Sequence, residues 1–520
     1  MSLSDQIEKD TRRSINSLLS CVENGKNGVA SLIDPIEGKR IAAHYGETHL
    51  CAALMLRAQR DHDIELWNQF RVLFDGVLTN WDKDTKLSTY HADFNNFAIA
   101  LIYNKIKDNE QLRSRIIDKL LQSQDSRNLT INWLPMRAYV NLTRYIYTKE
   151  SKYLDVAQDC FAKTLKACYL DGMIDDLLPK GESFNLQYCI STIATVLLIK
   201  NDFEAIYSKL PKIEIENTVS KLINCILPDG DVNYMGRGCN QLFAWGPWLY
   251  LIDKIDDPEV QYSYEYLKKW YHVTLSNNNL LLNDYNGADQ ILWWDYHYYS
   301  VYAAHFLLWY ELAKINDKGF SLVDNKINYN DSGFSIIKTA DFAVVSFSGR
   351  KHYLIERGPA IVALWSNKHG SLYKCGHAPT REAFGTLHFN PISAVMNHFG
   401  LVEVDGKKSM NDNKILRKIR RKMSIYPHYK QEFKPVFALS RIEEMNNGEI
   451  SIEFETKGKS DKLFILPIFN CNAISNFELY VNNEKCKFSF LCMTESQYGD
   501  CYVYSSPIRK SEKWVLHYIF

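Results

Sequence analysis

This sequence carries no net charge, since 61 Lys and Arg balance 61 Asp and Glu over 520 residues. Without a global basic field, a nucleic-acid partner is not expected. It also has no uninterrupted run of about twenty apolar residues, so no membrane span is expected. The opening stretch, Met1 to Asp10, has no apolar core of the kind a secretory leader needs. Its twelve cysteines include no CxxC pair and no regular framework. Neither Cys160 with Cys168 nor Cys486 with Cys492 has zinc-ribbon spacing. Scattered thiols fit a reducing compartment. The expected location is cytoplasmic, or periplasmic or secreted if a leader has been removed. Four catalytic templates are missing as well: G-x-x-x-x-G-K-[ST], G-x-G-x-x-G after a strand, H-E-x-x-H and G-x-S-x-G. Phosphate-loop, dinucleotide, zincin and α/β-hydrolase chemistry are therefore disfavoured, and the sequence calls for no metal and no cofactor.

What the chain does have is apolar and aromatic substance. Hydrophobic residues make up 46% and charged residues 23%, enough for a large core, and there are 32 Tyr and 11 Trp. Nine tryptophans precede residue 320, so the first three-fifths differs in character from the rest. Residues 4–315 read as successive helices. Leu66, Trp67, Phe70, Val72 and Leu73 recur at helical spacing, and similar runs follow, joined by short polar turns such as Lys149-Glu150. Roughly a dozen helices in sequential hairpins, with no strand between them and no fixed repeat, suggest an incomplete (α/α) toroid. Beyond about residue 320 the pattern becomes short β-branched or alternating runs: Phe334–Thr339, Phe342–Phe347, Ala360–Trp365, Glu449–Glu455, Lys462–Leu466, Glu478–Val481, Cys501–Ser505 and Lys513–Ile519. Turn signals such as Ser348-Gly349 and Asn446-Asn447-Gly448 separate them, which argues for an antiparallel β-sandwich. The expected division is a toroid over residues 1–317 and a β-sandwich over 318–520. The basic run Lys407–Lys422 reads as a solvated loop or edge strand.

The chemistry should sit where polar groups meet turns and helix starts. Asp229–Trp248 is one such stretch: Gly236 and Gly238 flank Arg237, and a helix starting near Cys239 follows with Gln241, Trp245 and Trp248. A turn leading into a helix N-terminus suits an anionic or sugar ligand. Tyr234 lies just upstream. His91, Asn95 and Asn96 open another helix, either as caps or with an amide projecting into a cleft. Trp133 and Arg137 open a third, and Gln187-Tyr188 heads an apolar helix after a polar loop beginning at Asp171-Gly172. Trp293 and His297 precede the last helix of the region. In the β region, His369 and His377 fall in an irregular loop. Each histidine has the alternative of a buried structural role.

The order of elements, a helical region of about 300 residues followed by an antiparallel β domain, resembles the polysaccharide lyases of the heparinase II/III and alginate lyase type. Those families use an Asn or His on an early helix, a Tyr after an Asp-Gly loop and a His from the β domain. Asn95 or Asn96, Tyr188 after Asp171-Gly172, and His369 or His377 fall in that order here, with Ser183-Phe184 and Gln187-Tyr188 displaced from Asp171-Gly172. Arg237 resembles the arginine that holds the substrate carboxylate in related toroidal lyases. The resemblance implies β-elimination on a uronic-acid-containing acidic polysaccharide, independent of metal. Tyr188 would move a proton, the amides and Arg237 would neutralise the carboxylate, and Trp133, Trp245, Trp248 and Trp293 would stack on sugars. His91, Arg137, Gln187, Tyr234, Gln241 and His297 would complete the binding surface. Alternatives are a glycoside hydrolase using two of Asp171, Asp175, Asp176, Glu182, Asp229, Asp231 and Asp295, a uronyl epimerase, or a glycan-binding protein without activity.

Overall fold

The computed structural model describes residues 2–274, 298–313, 325–348, 361–375, 399–404 and 433–520, apart from short stretches at 26–27, 36, 88, 107–108, 127–129, 182–183, 236–238, 254, 256, 258, 330–331, 446–447, 458–459 and 497. Thirteen helices are described: α1 (Leu3–Leu19), α2 (Gly46–Asp61), α3 (Ile64–Leu87), α4 (Ala92–Lys105), α5 (Glu110–Gln122), α6 (Leu134–Thr148), α7 (Ser151–Ala167), α8 (Leu186–Asp202), α9 (Glu204–Tyr207), α10 (Ile215–Asn224), α11 (Leu242–Ile252), α12 (Val260–Thr274) and α13 (Tyr299–Leu312).

Six of them form an inner layer. In the order α2, α4, α6, α8, α11, α13, each packs on the next, and α13 packs on α2. Their sequences explain why. α11, Leu-Phe-Ala-Trp-Gly-Pro-Trp-Leu-Tyr-Leu-Ile, is apolar all round and buried along its whole length, as expected of a helix enclosed on every side. Gly246 allows its close approach to α13: a Cβ there would lie 2.9 Å from both the Phe306 carbonyl oxygen and Trp309 Cβ. The outer helices are amphipathic. α10 buries Ile215, Thr218, Val219, Leu222 and Ile223 and exposes the face between, the spacing of a single buried stripe.

One part of this helical unit departs from the expectation. Three short antiparallel strands, β1 (Val22–Asn24), β2 (Ala30–Asp34) and β3 (Lys39–Arg40), lie between α1 and α2. β2 buries Ala30, Leu32 and Asp34 in alternation. Asp34 is used as a cap, since its carboxylate accepts the Ser300 backbone N–H at 2.8 Å and the Ser300 hydroxyl at 2.7 Å, near the start of α13.

The second unit is antiparallel sheet. One sheet is a meander of β4 (Asn325–Tyr329), β5 (Phe334–Lys338), β6 (Phe342–Phe347), β7 (Ile361–Ser366) and β8 (Gly370–Lys374). A second contains β9 (Gly400–Val404), β10 (Phe433–Pro435), β13 (Lys462–Ile468), β16 (Ser489–Ser496) and β17 (Gly499–Ser505), in the order 10-9-13-17-16. A third contains β11 (Leu439–Met445), β12 (Glu449–Glu455), β14 (Phe477–Val481), β15 (Glu484–Cys486) and β18 (Lys513–Ile519), in the order 11-12-18-14-15. Edge-on pairs such as Phe454 with Phe464, 5.2 Å between centroids, fill the core. The basic run Lys407–Lys422 lies outside the described residues.

The chain does not divide at a single point near residue 317. Leu227–Asn240 belongs with the strands, and charge explains it. Lys374 of β8, 2% exposed, places its ammonium 2.7 Å from Asp229 and 2.9 Å from Asp231. The Tyr498 hydroxyl donates to Asp231 at 3.0 Å. Burial pulls the Lys374 pKa down, but the two carboxylates outweigh it and hold it above its ordinary value. All twelve cysteines are free thiols, and no described helix is long and apolar enough to cross a membrane.

Candidate functional site in the helical unit

A helix start usually carries Ser, Thr, Asp or Asn, whose side chain accepts a free backbone N–H. Three outer helices follow the rule, while α7, α9 and α10 begin at Glu150, Phe203 and Glu214 without a side-chain cap. Ser2 caps α1, Asp63 accepts Leu66 N–H at 2.9 Å at the start of α3, and Asn109 caps α5. The inner helices mostly do not. Their N-cap residues are Tyr45, His91, Trp133, Asn185, Gln241 and Tyr298, and of these only Asn185 makes a side-chain cap. Five inner helices thus begin with an aromatic ring or an amide that does no capping.

These rings come together. Tyr45 stacks on Phe94 at 4.4 Å, and His91 lies 4.2 Å from His44 and 6.2 Å from Trp133. Tyr90, 38% exposed, meets both His91 and Trp133 edge-on at 4.9 Å. Tyr298 meets His44 edge-on at 4.8 Å. Phe243 joins the other side of the ring of helices, with Phe94 at 6.1 Å, Tyr302 at 6.4 Å and Tyr188 at 6.4 Å, each edge-on. Side chains from α2, α4, α6, α8, α11 and α13, or from the residues just before them, therefore share one aromatic cluster.

Beneath it lies a buried imidazole pair. Phe243 stacks on His305 at 4.1 Å and 4°, and His305 Nδ1 is 3.1 Å from His49 Nδ1. The far nitrogen of His49, Nε2, is 3.3 Å from the Phe94 carbonyl. A carbonyl only accepts, so His49 carries its proton on Nε2 and accepts at Nδ1 from His305. Both rings are fully buried and held neutral. Burial brings His49 down to about 3 even though the Phe94 bond favours charge, and burial with the neighbouring His49 takes His305 well below its usual value. Burial, with His91 beside it, pushes His44 down to about 2. His91 Nδ1 lies 3.2 Å from the Ala43 carbonyl and so carries the proton, which leaves Nε2 as the accepting nitrogen of the neutral ring.

The two asparagines of α4 differ. Asn95 lies beside the histidines: its Oδ1 is 2.9 Å from the Thr48 hydroxyl, and its Nδ2 is 3.5 Å from the carbonyls of His44 and His91. Asn96 Nδ2 donates to the Gln124 carbonyl at 3.0 Å, which turns that side chain toward a loop. Gln187 Oε1 and Gln241 Nε2 are buried with no hydrogen-bond partner among the described residues. Arg137 is not presented to a ligand. It pairs with buried Asp93 at 2.9 Å and donates to the Ser126 carbonyl at 2.7 Å.

Other expected residues fall elsewhere. Trp245 and Trp248 are wholly buried, because α11 is enclosed on all faces. Trp248 donates to the Ser263 hydroxyl at 3.0 Å and Trp245 stacks on Tyr266, so neither offers a face for a sugar. Tyr234 is core in the second unit, 0% exposed and near Phe334. His369 sits in the turn between β7 and β8, its backbone N–H bonded to Ser366 and its ring beside Tyr518. Arg237, Trp293, His297 and His377 lie outside the described residues. His44, Tyr45, His49, Tyr90, Tyr302 and His305 are cluster members that the sequence reading passed over, while Tyr298 was noted beside His297. A non-capping ring at the residue before a helix was the available signal.

Among the described residues, the candidate carboxylates of a two-acid mechanism each accept a hydrogen bond or ion pair. Asp175 accepts from the Tyr169 hydroxyl, Leu177 N–H and Gly181 N–H. Asp176 accepts from Asn132 N–H and Asp171 from Met173 N–H. Asp229 and Asp231 hold Lys374 in the other unit. Glu182 and Asp295 lie outside the described residues.

No protein-family model and no curated protein matches this sequence. Solved structures do. A mutant heparan sulfate lyase from Pedobacter heparinus aligns with TM-score 0.51 at 9% identity, over 98% of this chain and 83% of that one. A heparinase III aligns with TM-score 0.48 at 10% identity, over 90% and 77%. An α-1,6-mannanase of Salegentibacter sp. HEL1_6 aligns with TM-score 0.40 at 11% identity, over 60% and 99%. At such identity the first of these speaks to fold: the helical toroid followed by antiparallel sheets is that of a heparinase-like lyase.

Proposed function

We propose that this chain is a polysaccharide lyase that cleaves a uronic-acid-containing polysaccharide by β-elimination. The observation carrying this reading is the furnishing of the helix-start cluster. It holds groups that transfer protons without a standing charge, Tyr188, His91 and His44, beside the amide of Asn95. Among the described residues, the candidate hydrolase carboxylates Asp171, Asp175, Asp176, Asp229 and Asp231 each accept a structural hydrogen bond. The fold shared with a heparan sulfate lyase supports the same reading.

Elimination needs a base at the weakly acidic C5 proton, an acid at the leaving O4 oxygen, and donors to the carboxylate as an enolate-like anion forms. In this proposal Tyr188 moves the proton. A phenol with an ordinary pKa of about 10 needs nearby donors or positive charge to act near neutrality. Asn95, through Nδ2, donates to the substrate carboxylate. Helix N-termini that lack side-chain caps add partial positive charge at the same end, which suits an anionic sugar. Tyr90, 38% exposed and backed edge-on by Trp133, offers an aromatic face for a sugar ring.

The test is a screen of uronate-containing polysaccharides, read for new ultraviolet absorbance from an unsaturated uronate and for new reducing ends. Both signals together are expected. Reducing ends without the absorbance would mean hydrolysis. Deuterium entering C5 from heavy water, without cleavage, would mean epimerisation.

A further inference from the structure

In the β unit, the β14–β15 turn and residues 507–511 enclose an open cavity of about 510 Å³, within the size range of small-ligand sites. We propose that this cavity is an accessory site for an anionic sugar residue of a glycan chain, holding polymer without taking part in bond cleavage. The choice of an acidic glycan rests on the function proposed above.

The cavity presents donors and cations. Arg509 is 41% exposed and lies 3.3 Å from Glu484, itself 74% exposed. So solvated a pair is weak, and an incoming anion competes for the guanidinium on good terms. Lys510 is 66% exposed and 3.7 Å from Asp461, too far for a hydrogen bond, so its ammonium faces solvent. Asn482 contributes direction. Its Oδ1 is occupied by the Ser511 hydroxyl at 2.8 Å, which leaves the amide hydrogens as the side chain's remaining offer. Glu484 is the lining carboxylate, and it is the group Arg509 would exchange for the ligand. Beside these donors Ile508 is 55% exposed, an apolar edge for the C–H face of a sugar ring.

The frame is fixed before any ligand arrives. Arg509 N–H and carbonyl both bond to Lys462 of β13, at 2.9 and 3.0 Å. Ser511 is 5% exposed, and its carbonyl accepts from Thr456 Oγ1 at 3.0 Å and Trp514 Nε1 at 3.3 Å. Asn482 takes up a left-handed conformation at φ 50° in the β14–β15 turn, which Asn tolerates. A pocket so anchored loses little ordering entropy on binding.

The experiment uses the full chain and its Arg509→Ala/Lys510→Ala variant, titrated with polygalacturonate, dextran sulfate and neutral dextran of matched length. Loss of two charge-assisted contacts should weaken polyanion binding by about ten-fold or more. Neutral dextran should bind neither protein, and turnover of a short uronate oligosaccharide should be unchanged. Polygalacturonate against dextran sulfate tells whether carboxylate or sulfate is preferred, and Arg509→Lys should restore part of the affinity. Equal polyanion binding by both proteins would overturn the site, as would an equal fall in oligosaccharide turnover. A chain that binds polyanion through Arg509 and Lys510 yet cleaves nothing would keep the site and sink the lyase reading.

Discussion

In their N-terminal halves α2 and α13 bring together His49 and His305, with Tyr45 against His305 and Tyr298 against His44 just before the two helices. Near their C-terminal ends the same two helices bring together Arg57, Arg60 and Glu311, with Glu8 of α1 added. Arg57, 3% exposed at its side chain, bonds Glu311 at 2.8 Å and Glu8 at 2.6 Å, and the Tyr310 hydroxyl donates to Glu8 at 3.0 Å. One end gathers neutral rings beside the Asp34 carboxylate that bonds the start of α13, and the other is held by a buried ionic network. The contrast teaches that a helix ring can separate its tasks along its axis. Rings and amides gather where a ligand would be handled, and the rigid electrostatic closure between α2 and α13 lies at the opposite end. Proteins commonly give up local stability at functional sites in this manner.

The comparison can be broken most directly at Tyr188. Tyr188→Phe keeps the ring and removes one hydroxyl, so turnover should fall by roughly 10²–10⁴-fold while glycan affinity changes little. Near-normal turnover, measured on any substrate found in the screen, would move the proton transfer to His91 or His44. At the other end, Arg57→Met removes the buried cation between Glu311 and Glu8 and leaves Glu311 only the half-exposed Arg60. Denaturant unfolding should show a loss of about 3–5 kcal/mol, with kcat per folded molecule unchanged. A large change in kcat would mean that the two ends are coupled.

Acid should separate the ends by window. Between about pH 3 and 6.5 the unfolded chain protonates His49 while the folded chain does not, and His305 is depressed in the same sense. The unfolded state therefore binds more protons, and stability falls as pH falls through that range, by up to about 1.4 kcal/mol per pH unit for each histidine. His305→Phe should flatten this slope in unfolding curves taken from pH 7 to 4, and an unchanged slope would contradict the neutral pair. At the ionic end, burial raises Glu8, but Arg57, Arg60 and Tyr310 outweigh it and its pKa is lowered below 4.5. Its contribution is present above that value and lost as pH drops through the folded pKa, a window more acidic than the start of the histidine one. The smallest effect belongs to the surface. Arg115→Ala, which breaks an exposed pair with Asp75, should change stability by less than about 1 kcal/mol.

Much of this was legible in the amino-acid order, for physical reasons that also mark the failures. α10 and the alternating strands announced themselves through the period of burial, and Glu449–Glu455 and Lys513–Ile519 pair as neighbours, β12 with β18. β2 was missed because five residues of alternation inside a helical region are a short signal. Asn95, His91, Trp133, Gln187, Tyr188 and Gln241 were singled out because polar or amphipathic groups at helix starts stand out. His49 and His305 were not, since each sits among apolar neighbours and they meet across a separation of 256 residues. Trp245 and Trp248 were misread because a sequence gives the aromatic ring but not how many sides of its helix are covered.

The Lys374 clamp bears on how the chain is made. Asp231 precedes its cation by 143 residues, a length that takes on the order of ten seconds to synthesise. Throughout that interval the Leu227–Asn240 stretch has left the ribosome while the lysine that holds it does not yet exist. The helices on either side of it in the sequence are complete before it can settle. Vectorial synthesis therefore gives this segment a late place in assembly, and its final position waits on a strand from much further along the message.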